Sequence, residues 1–291
     1  MIVIAGHPQG LISCSIADTL KALPGAKRFV AVRPVAALPL PPDVERCHVD
    51  THIPGDVARA LSGAHSLVLI GSMGRDHTEL HGALAQMARA AGVEKLVLIS
   101  LIGASVYSPA EVLRRLGRVE HAVRESGVPF VILRCAPFMQ SLRLFMQIDG
   151  LSLALTGPFH TARFDWIDAR DAGEIVVRLL CGPLDNSVKQ LCGPAPLDFD
   201  DVAAIICNCA PCDCTFNDLS APQAQGLLEG AGFTAAQARE LVEYWDYIVS
   251  GVVSTTAAES AEELLGRPLR TLEECAPTFI PRGDISQSTA T

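Results

Sequence analysis

The sequence predicts a doubly wound α/β domain with a smaller, mostly helical C-terminal cap, and three observations carry that reading. Short, continuous apolar runs recur at residues 2–5, 29–32, 47–49, 66–70, 95–100 and 130–134. Stretches with helical spacing of apolar residues alternate with them. The first run also ends at Gly6, and a helical stripe begins directly after Gly10. Strands that are apolar throughout are buried on both faces, which calls for a parallel sheet with helices on each side.

The first of these elements is also the first candidate site. Ile12, Ile16, Leu20 and Leu23 form the helical stripe that follows the glycine turn. A buried strand that feeds a helix N-terminus through glycines makes a phosphate site, because free backbone N–H groups and the positive end of the helix dipole converge there. The spacing Gly6-x-x-x-Gly10-x-x-Ser13 departs from G-x-G-x-x-G. Pro8 removes one donor, while Ser13 is small enough to stand where a third glycine would let helix and strand approach. A pyrophosphate over Gln9, Gly10 and Leu11, beside Gly6, is the expected ligand contact, and an ordinary strand-to-helix turn is the alternative.

The second run ends at Arg33-Pro34. An Arg at that strand end sits where an adenosine ribose lies, and its planar fork suits a 2′-phosphate, which favours NADP over NAD; a solvated residue before a proline turn is the alternative. The Pro-rich residues 38–42 read as a surface connection. A short strand at 47–49, a helix at 55–61 and a buried strand at 66–70 follow. That strand stops at Gly71-Ser72-Met73-Gly74, where missing side chains let a ligand approach the backbone. Ser72 and Met73, with Ser100 on the next strand, are the expected neighbours of the nicotinamide. A helix at 77–91 closes at Gly92, and a helix that opens after Pro109 runs to Ser126 with Gly127 as its C-cap. The strand at 130–134 completes a run of six.

Beyond residue 136 the pattern loosens. It predicts a helix at 141–148, a strand at 151–155, and helices at 168–180, 199–207, 221–231, 235–253 and 259–265, with Asp171 in the acidic first turn of the 168–180 helix. Trp166, Tyr244, Trp245 and Tyr247 lie in this half, which is expected to cap the C-terminal edge of the sheet. Phe138, Met139, Phe164 and Trp166 are expected to face the nicotinamide. The chain thus divides into a dinucleotide domain at 1–135, a cap at 136–281 with segments returning to the sheet, and a small polar, disordered tail at 282–291.

Composition narrows the function. The chain is 49% hydrophobic, yet no apolar run reaches the ~18 residues that a membrane span needs. No basic stretch precedes the first strand, so no secretory signal is expected and the cytoplasm is the expected address. A net charge of −9 without a Lys/Arg cluster excludes a nucleic-acid surface. Ten cysteines in 291 residues read as buried thiols rather than a disulfide framework. Cys207, Cys209, Cys212 and Cys214 have a spacing that suits zinc or an iron–sulfur cluster. That spacing crosses a change of secondary structure and finds no second pair of ligands, so no metal is expected; Cys212, Cys214 and Phe216 read as the inward side of an edge strand. His77 and His81 have zincin-like spacing, but Thr78 stands where the general base should be, and a solvated helix face is expected. Tyr107, in the loop after the Ser100 strand, is the candidate proton donor, with packing of the loop against the cap as the alternative.

The glycine turn, Val32-Arg33, Ala90-Ala91-Gly92-Val93 before Lys95-Leu96-Val97, and Glu120 leading into Ser126-Gly127-Val128-Pro129 and its strand form an ordered set. Together with 164–172, Leu191-Cys192-Gly193-Pro194 and Leu265-Gly266-Arg267-Pro268, it resembles the NmrA-like branch of the atypical short-chain dehydrogenases/reductases. The resemblance covers nearly the whole chain. It implies a Rossmann-like fold, NADP(H) as cofactor, and hydride transfer to a small, flat, apolar acceptor such as a quinone, enone or aromatic carbonyl, as in the family's quinone and triphenylmethane reductases. Regulators that sense the dinucleotide without turnover belong to the same branch, and a non-redox lyase or isomerase on this fold is a third reading. The partners implied are a small-molecule substrate and, left open, a second copy of the chain. Three departures from the family stand out. Its turn reads G-A-T-G-x-x-G, whereas here one residue is added and Ser13 ends the motif. The Tyr-x-x-x-Lys pair is absent, since Glu111 stands four residues after Tyr107. Where relatives carry Lys or His four residues before the Glu120 position, this chain has Leu116.

Overall fold

Successive side chains of a strand point to opposite faces, so an apolar strand serves two cores at once. In β1 (Ile2–Ala5), Ile2 and Ile4 enter one core while Val3 and Ala5 enter the other. The same alternation runs through β2 (Lys27–Ala31), β4 (Ser66–Ile70), β5 (Lys95–Leu101) and β6 (Phe130–Cys135). The computed structural model describes all residues except 7–10, 33–43, 54, 72–74, 150–151, 160, 210–212, 252–260, 279 and 281–291. Within it, α1 (Leu11–Thr19) follows β1, β3 (Val44–His48) follows β2, and α2 (Asp56–Leu61), α3 (Arg75–Ala88) and α4 (Glu111–Glu125) connect the strands that come after.

Seven strands form one parallel sheet in the order β3-β2-β1-β4-β5-β6-β9. The chain leaves β1 to one side for β2 and β3, then returns to β1's other side with β4. That reversal creates a crevice at the strand C-termini between β1 and β4. The seventh strand, β9 (Ser187–Leu191), is an addition to the six expected ones. It is a sheet edge with a mixed sequence, SVKQL, and its parallel register against β6 comes from a distant segment. It arrives through α5 (Ala169–Cys181), which packs beside α1 in the core that also takes α9 (Ala261–Leu265). Asp168 caps α5 by accepting from Arg170 N at 2.8 Å. The fully buried Asp171 accepts from Arg270 N and Arg267 Nη2, each at 2.7 Å, which fastens the chain after α9 to the sheet layer.

The expected helix at 141–148 is instead a 3-10 segment, Met139–Phe145, followed by β7 (Met146–Asp149), which pairs antiparallel with β8 (Ser152–Gly157). Met-Gln-Ile-Asp alternates apolar and polar residues, a strand's period rather than a helix's. β10 (Asp213–Asp218) joins β8 in parallel to complete a small sheet. With α6 (Phe199–Cys209), α7 (Ala221–Gly230), α8 (Ala235–Val249) and α10 (Leu272–Cys275), these elements surround a separate core dominated by aromatics. Phe159 is its centre. It stacks on Phe199 at 4.0 Å between ring centroids and meets Phe145, Phe164, Trp166 and Trp245 edge to face.

Substitution Phe159→Ala removes the ring that Phe145, Phe164, Trp166, Phe199 and Trp245 all meet, and should cost about 3–5 kcal/mol of unfolding free energy in urea denaturation. A loss below about 1 kcal/mol would mean that the cluster does not hold this core together.

Candidate functional site

At the crevice two glycines allow close approaches that a side chain would crowd. A Cβ on Gly6, just past β1, would lie 2.8 Å from Ser13 Oγ and 3.3 Å from Ile70 Cβ. Ser13 is buried, so the serine does take the third glycine's place: its small side chain packs α1 directly on the end of β1. A Cβ on Gly71, just past β4, would lie 2.6 Å from the Ile99 carbonyl oxygen and 3.3 Å from Leu116 Cδ2. Gly71 N donates to that same carbonyl at 2.7 Å. Backbone is therefore laid against backbone at the ends of β4 and β5, a small side chain separates the end of β1 from α1, and the N-terminus of α1 opens onto the same edge. Such an edge fits a dinucleotide's pyrophosphate, which needs close backbone approach and N–H donors.

The floor beside Gly71 is held by one carboxylate. Glu120 of α4, fully buried, accepts from Ser100 Oγ at 2.8 Å, from Arg134 Nε and Nη2 at 3.0 and 2.7 Å, and from Arg124 Nη2 at 3.0 Å. Ser100 and Arg134 are register partners on β5 and β6, so Glu120 locks the C-terminal ends of both strands to the helix. Ser100 was expected beside the nicotinamide; it is fully buried and its hydroxyl is committed to Glu120. Neither Glu120 nor Arg134 stood out in the sequence as a site residue, although a strand ending in Arg and a Glu–Arg pair at i,i+4 were visible there.

His77 and His81 correct the expectation of a solvated helix face. They are 3% and 0% exposed, on the α3 face that also buries Leu80, Leu84, Ala85 and Ala88. Burial drives the His81 pKa down to about 3; His77 pushes the same way, and the nearby Ala5 backbone opposes both. Among the described residues, neither ring nitrogen of His81 reaches hydrogen-bonding geometry with a partner. The ring is thus a neutral imidazole buried near Ala5 at the end of β1.

The expected substrate residues are enclosed rather than presented to an open cleft. Phe138 packs in the sheet core, and Met139, Phe164 and Trp166 in the aromatic core, all at 4% exposure or less. Tyr107 is the opposite case, at 90% exposure, so it does not pack its loop against the cap. Gln9, Gly10, Arg33, Ser72 and Met73 lie outside the described residues, as does the side chain of Leu11. Cys207 and Cys209 end α6 and Cys214 lies in β10, while Cys212 is outside the described residues. No group of three metal-ligating side chains is gathered among the described residues. No described helix is long and apolar enough to cross a membrane.

A parallel sheet whose strand order reverses between β1 and β4, with Gly6 and Gly71 just past those two strands, defines a Rossmann-like α/β fold. Residues 15–141 match the NAD(P)H-binding family. The chain is 28% identical to the NAD(P)H azoreductase of Xenophilus azovorans over 233 residues, 78% of this chain and 79% of that protein. It superimposes with a TM-score of 0.75 on the triphenylmethane reductase of Citrobacter sp., crystallised with NADP(H), at 19% identity over 96% of this chain and all of the other. For the NADPH-dependent quinone oxidoreductase of Escherichia coli, in complex with NADPH, the TM-score is 0.74 at 20% identity, covering 96% of this chain and 99% of that one. The expected Rossmann-like fold is thereby borne out, residues 15–141 carry the NAD(P)H-binding match, and these three proteins are reductases or oxidoreductases that use NAD(P)H.

The buried imidazole gives a pH signature. Unfolded His81, with its ordinary pKa of 6.5, takes up a proton below that pH, whereas the folded residue resists protonation until about 3. Its contribution to stability is whole above pH 6.5 and declines by up to ~1.4 kcal/mol per pH unit below it. Denaturation profiles of wild type and His81→Leu should therefore diverge as pH falls from 7 to 5, with wild type losing stability faster. Parallel profiles would mean that the imidazole is hydrated in the folded protein.

Proposed function

We propose that this protein is an NADPH-dependent reductase of small, flat, conjugated acceptors, of the quinone, enone or aromatic carbonyl type. The cofactor, when bound, supplies the hydride. The observation that carries the acceptor class is Leu116: almost fully buried, it lays its side chain on Gly71 at the switch point, and a leucine there has no proton to give. An acceptor that spreads the incoming electron pair over a conjugated frame needs no strong acid at that position, because water can protonate it afterwards. The azoreductase, triphenylmethane reductase and quinone oxidoreductase among the similar proteins carry conjugated acceptors in their names, which supports the same choice.

The chain's own residues divide the work. Gly6 and the start of α1, with Gln9, Gly10 and Leu11, would take the pyrophosphate through backbone N–H groups. Arg33, two residues beyond the end of β2, would take the 2′-phosphate with its guanidinium fork. Ser72 and Met73 follow Gly71 and would flank the nicotinamide. Glu120 holds Ser100 and Arg134, so the C-terminal ends of β5 and β6 stay fixed in place.

Loss of NADPH absorbance in the presence of a panel of quinones and enones tests the reading, and turnover of at least one member is the expected result. Tight NADPH binding without oxidation by any of them would make the protein a dinucleotide sensor. Arg33→Ala should weaken NADPH roughly tenfold or more while leaving NADH affinity within about twofold, since only the former loses a charge-assisted phosphate contact. Equal weakening of both would remove Arg33 from the 2′-phosphate.

A further inference from the structure

The loop that leaves β5 at the crevice is fixed at several points. Ile102 N donates to the Cys135 carbonyl at 3.0 Å, Ser105 N to the Leu113 carbonyl at 3.2 Å, and Ser108 N to the Ser105 carbonyl at 3.1 Å. Arg114 Nη1 donates to the carbonyls of Ser108 and Pro109 at 2.7 and 2.6 Å. Gly117 is the closest clamp: a Cβ there would lie 2.4 Å from Ser105 C and 2.5 Å from Val106 N, so the loop backbone rests directly on the helix. A glycine within α4 weakens that helix, and here it makes the contact sterically feasible. Yet the tip of this well-held loop is bare. Val106 is 42% and Tyr107 90% exposed, and the phenol makes no hydrogen bond among the described residues.

A proton donor has to be aimed at its target by partners, and the Tyr107 phenol has none among the described residues. What a rigid loop does present well is the ring face itself. Aromatic faces attract flat π systems by stacking, which also removes apolar surface from water. Resting on the reductase reading above, we propose that Tyr107, with Val106 beside it, is the stacking platform that selects flat conjugated acceptors at the mouth of the crevice, and that it acts through its ring rather than its hydroxyl. Three features converge on this assignment. The loop leaves the sheet at β5, one residue past the Ser100 that Glu120 anchors. It is held from both α4 and β6. And the aromatics first expected to meet the acceptor, Phe164 and Trp166, are closed inside the cap.

The test measures binding as well as turnover, on the full chain loaded with NADP+, which cannot reduce the probe. Titration with 1,4-naphthoquinone by calorimetry should give a dissociation constant about three- to tenfold weaker for Tyr107→Ala than for wild type, and Tyr107→Phe should restore the lost affinity. In steady state with NADPH, the alanine variant should show the same factor in KM for naphthoquinone, with kcat and NADPH affinity held within about twofold. Unchanged naphthoquinone affinity in Tyr107→Ala overturns the proposal. So does a Tyr107→Phe variant that binds normally but loses kcat, which would give the hydroxyl a chemical role. Binding that depends on Tyr107 in a protein that never oxidises NADPH would keep the platform and reject the reductase. Turnover of naphthoquinone indifferent to Tyr107→Ala would keep the reductase and reject the platform.

Discussion

The architecture depends on two close approaches at glycines, at Gly6 past β1 and at Gly71 past β4. Gly6 lies against the small side chain of Ser13 and Gly71 against the Ile99 carbonyl, so α1 packs closely on the end of β1 and the ends of β4 and β5 meet backbone to backbone. A methyl group at Gly71 would have to displace a main-chain carbonyl of the neighbouring strand, which is not a flexible obstacle. The same absence of side chains that brings the elements together leaves the peptide groups of Gly6 and Gly71 uncovered by side chains of their own. Close packing and the capacity to take a phosphate-bearing ligand therefore have one structural cause.

Helix α4 carries that arrangement outward. Its later turns pack Val119 and Val123 on the sheet and anchor the strand ends through Glu120, while its first turns place Val112 and Leu113 in the aromatic core. Arg115 adds an ion pair to Glu240 of α8, 2.6 Å at its shorter contact. A buried carboxylate is tolerable only with such partners, and removing one of them would leave charge stranded in a dry interior. Because α4 belongs to both cores, the exposed loop clamped on Gly117 is referenced to the sheet and the cap together.

Much of this was legible in the chain. Apolar runs on two faces specified the parallel sheet, and Ser13 could be read as a stand-in for glycine from its size alone. What was not legible came from long-range pairing. β9 has too few apolar residues to announce itself and is recruited by register against β6. Glu120 reads as an ordinary helical acid until Ser100 and Arg134 converge on it from two strands. The histidines were misjudged because polarity was weighed above position: 77, 81, 84, 85 and 88 fall on one helical stripe, and that spacing already placed both rings inward. Phe164 and Trp166 were assigned to a substrate on chemical type, whereas a cap of this size needs them for its own core.

Hydrogen exchange read by mass spectrometry with and without saturating NADPH addresses the central claim, that the dinucleotide lies across the glycine-lined ends of β1 and β4. Slowed exchange in peptides spanning residues 1–19 and 66–80 is the expected result, since bound phosphate would engage the amides of the first turn and close the second. Unchanged exchange there, with protection confined to the cap helices of residues 199–249, would contradict it.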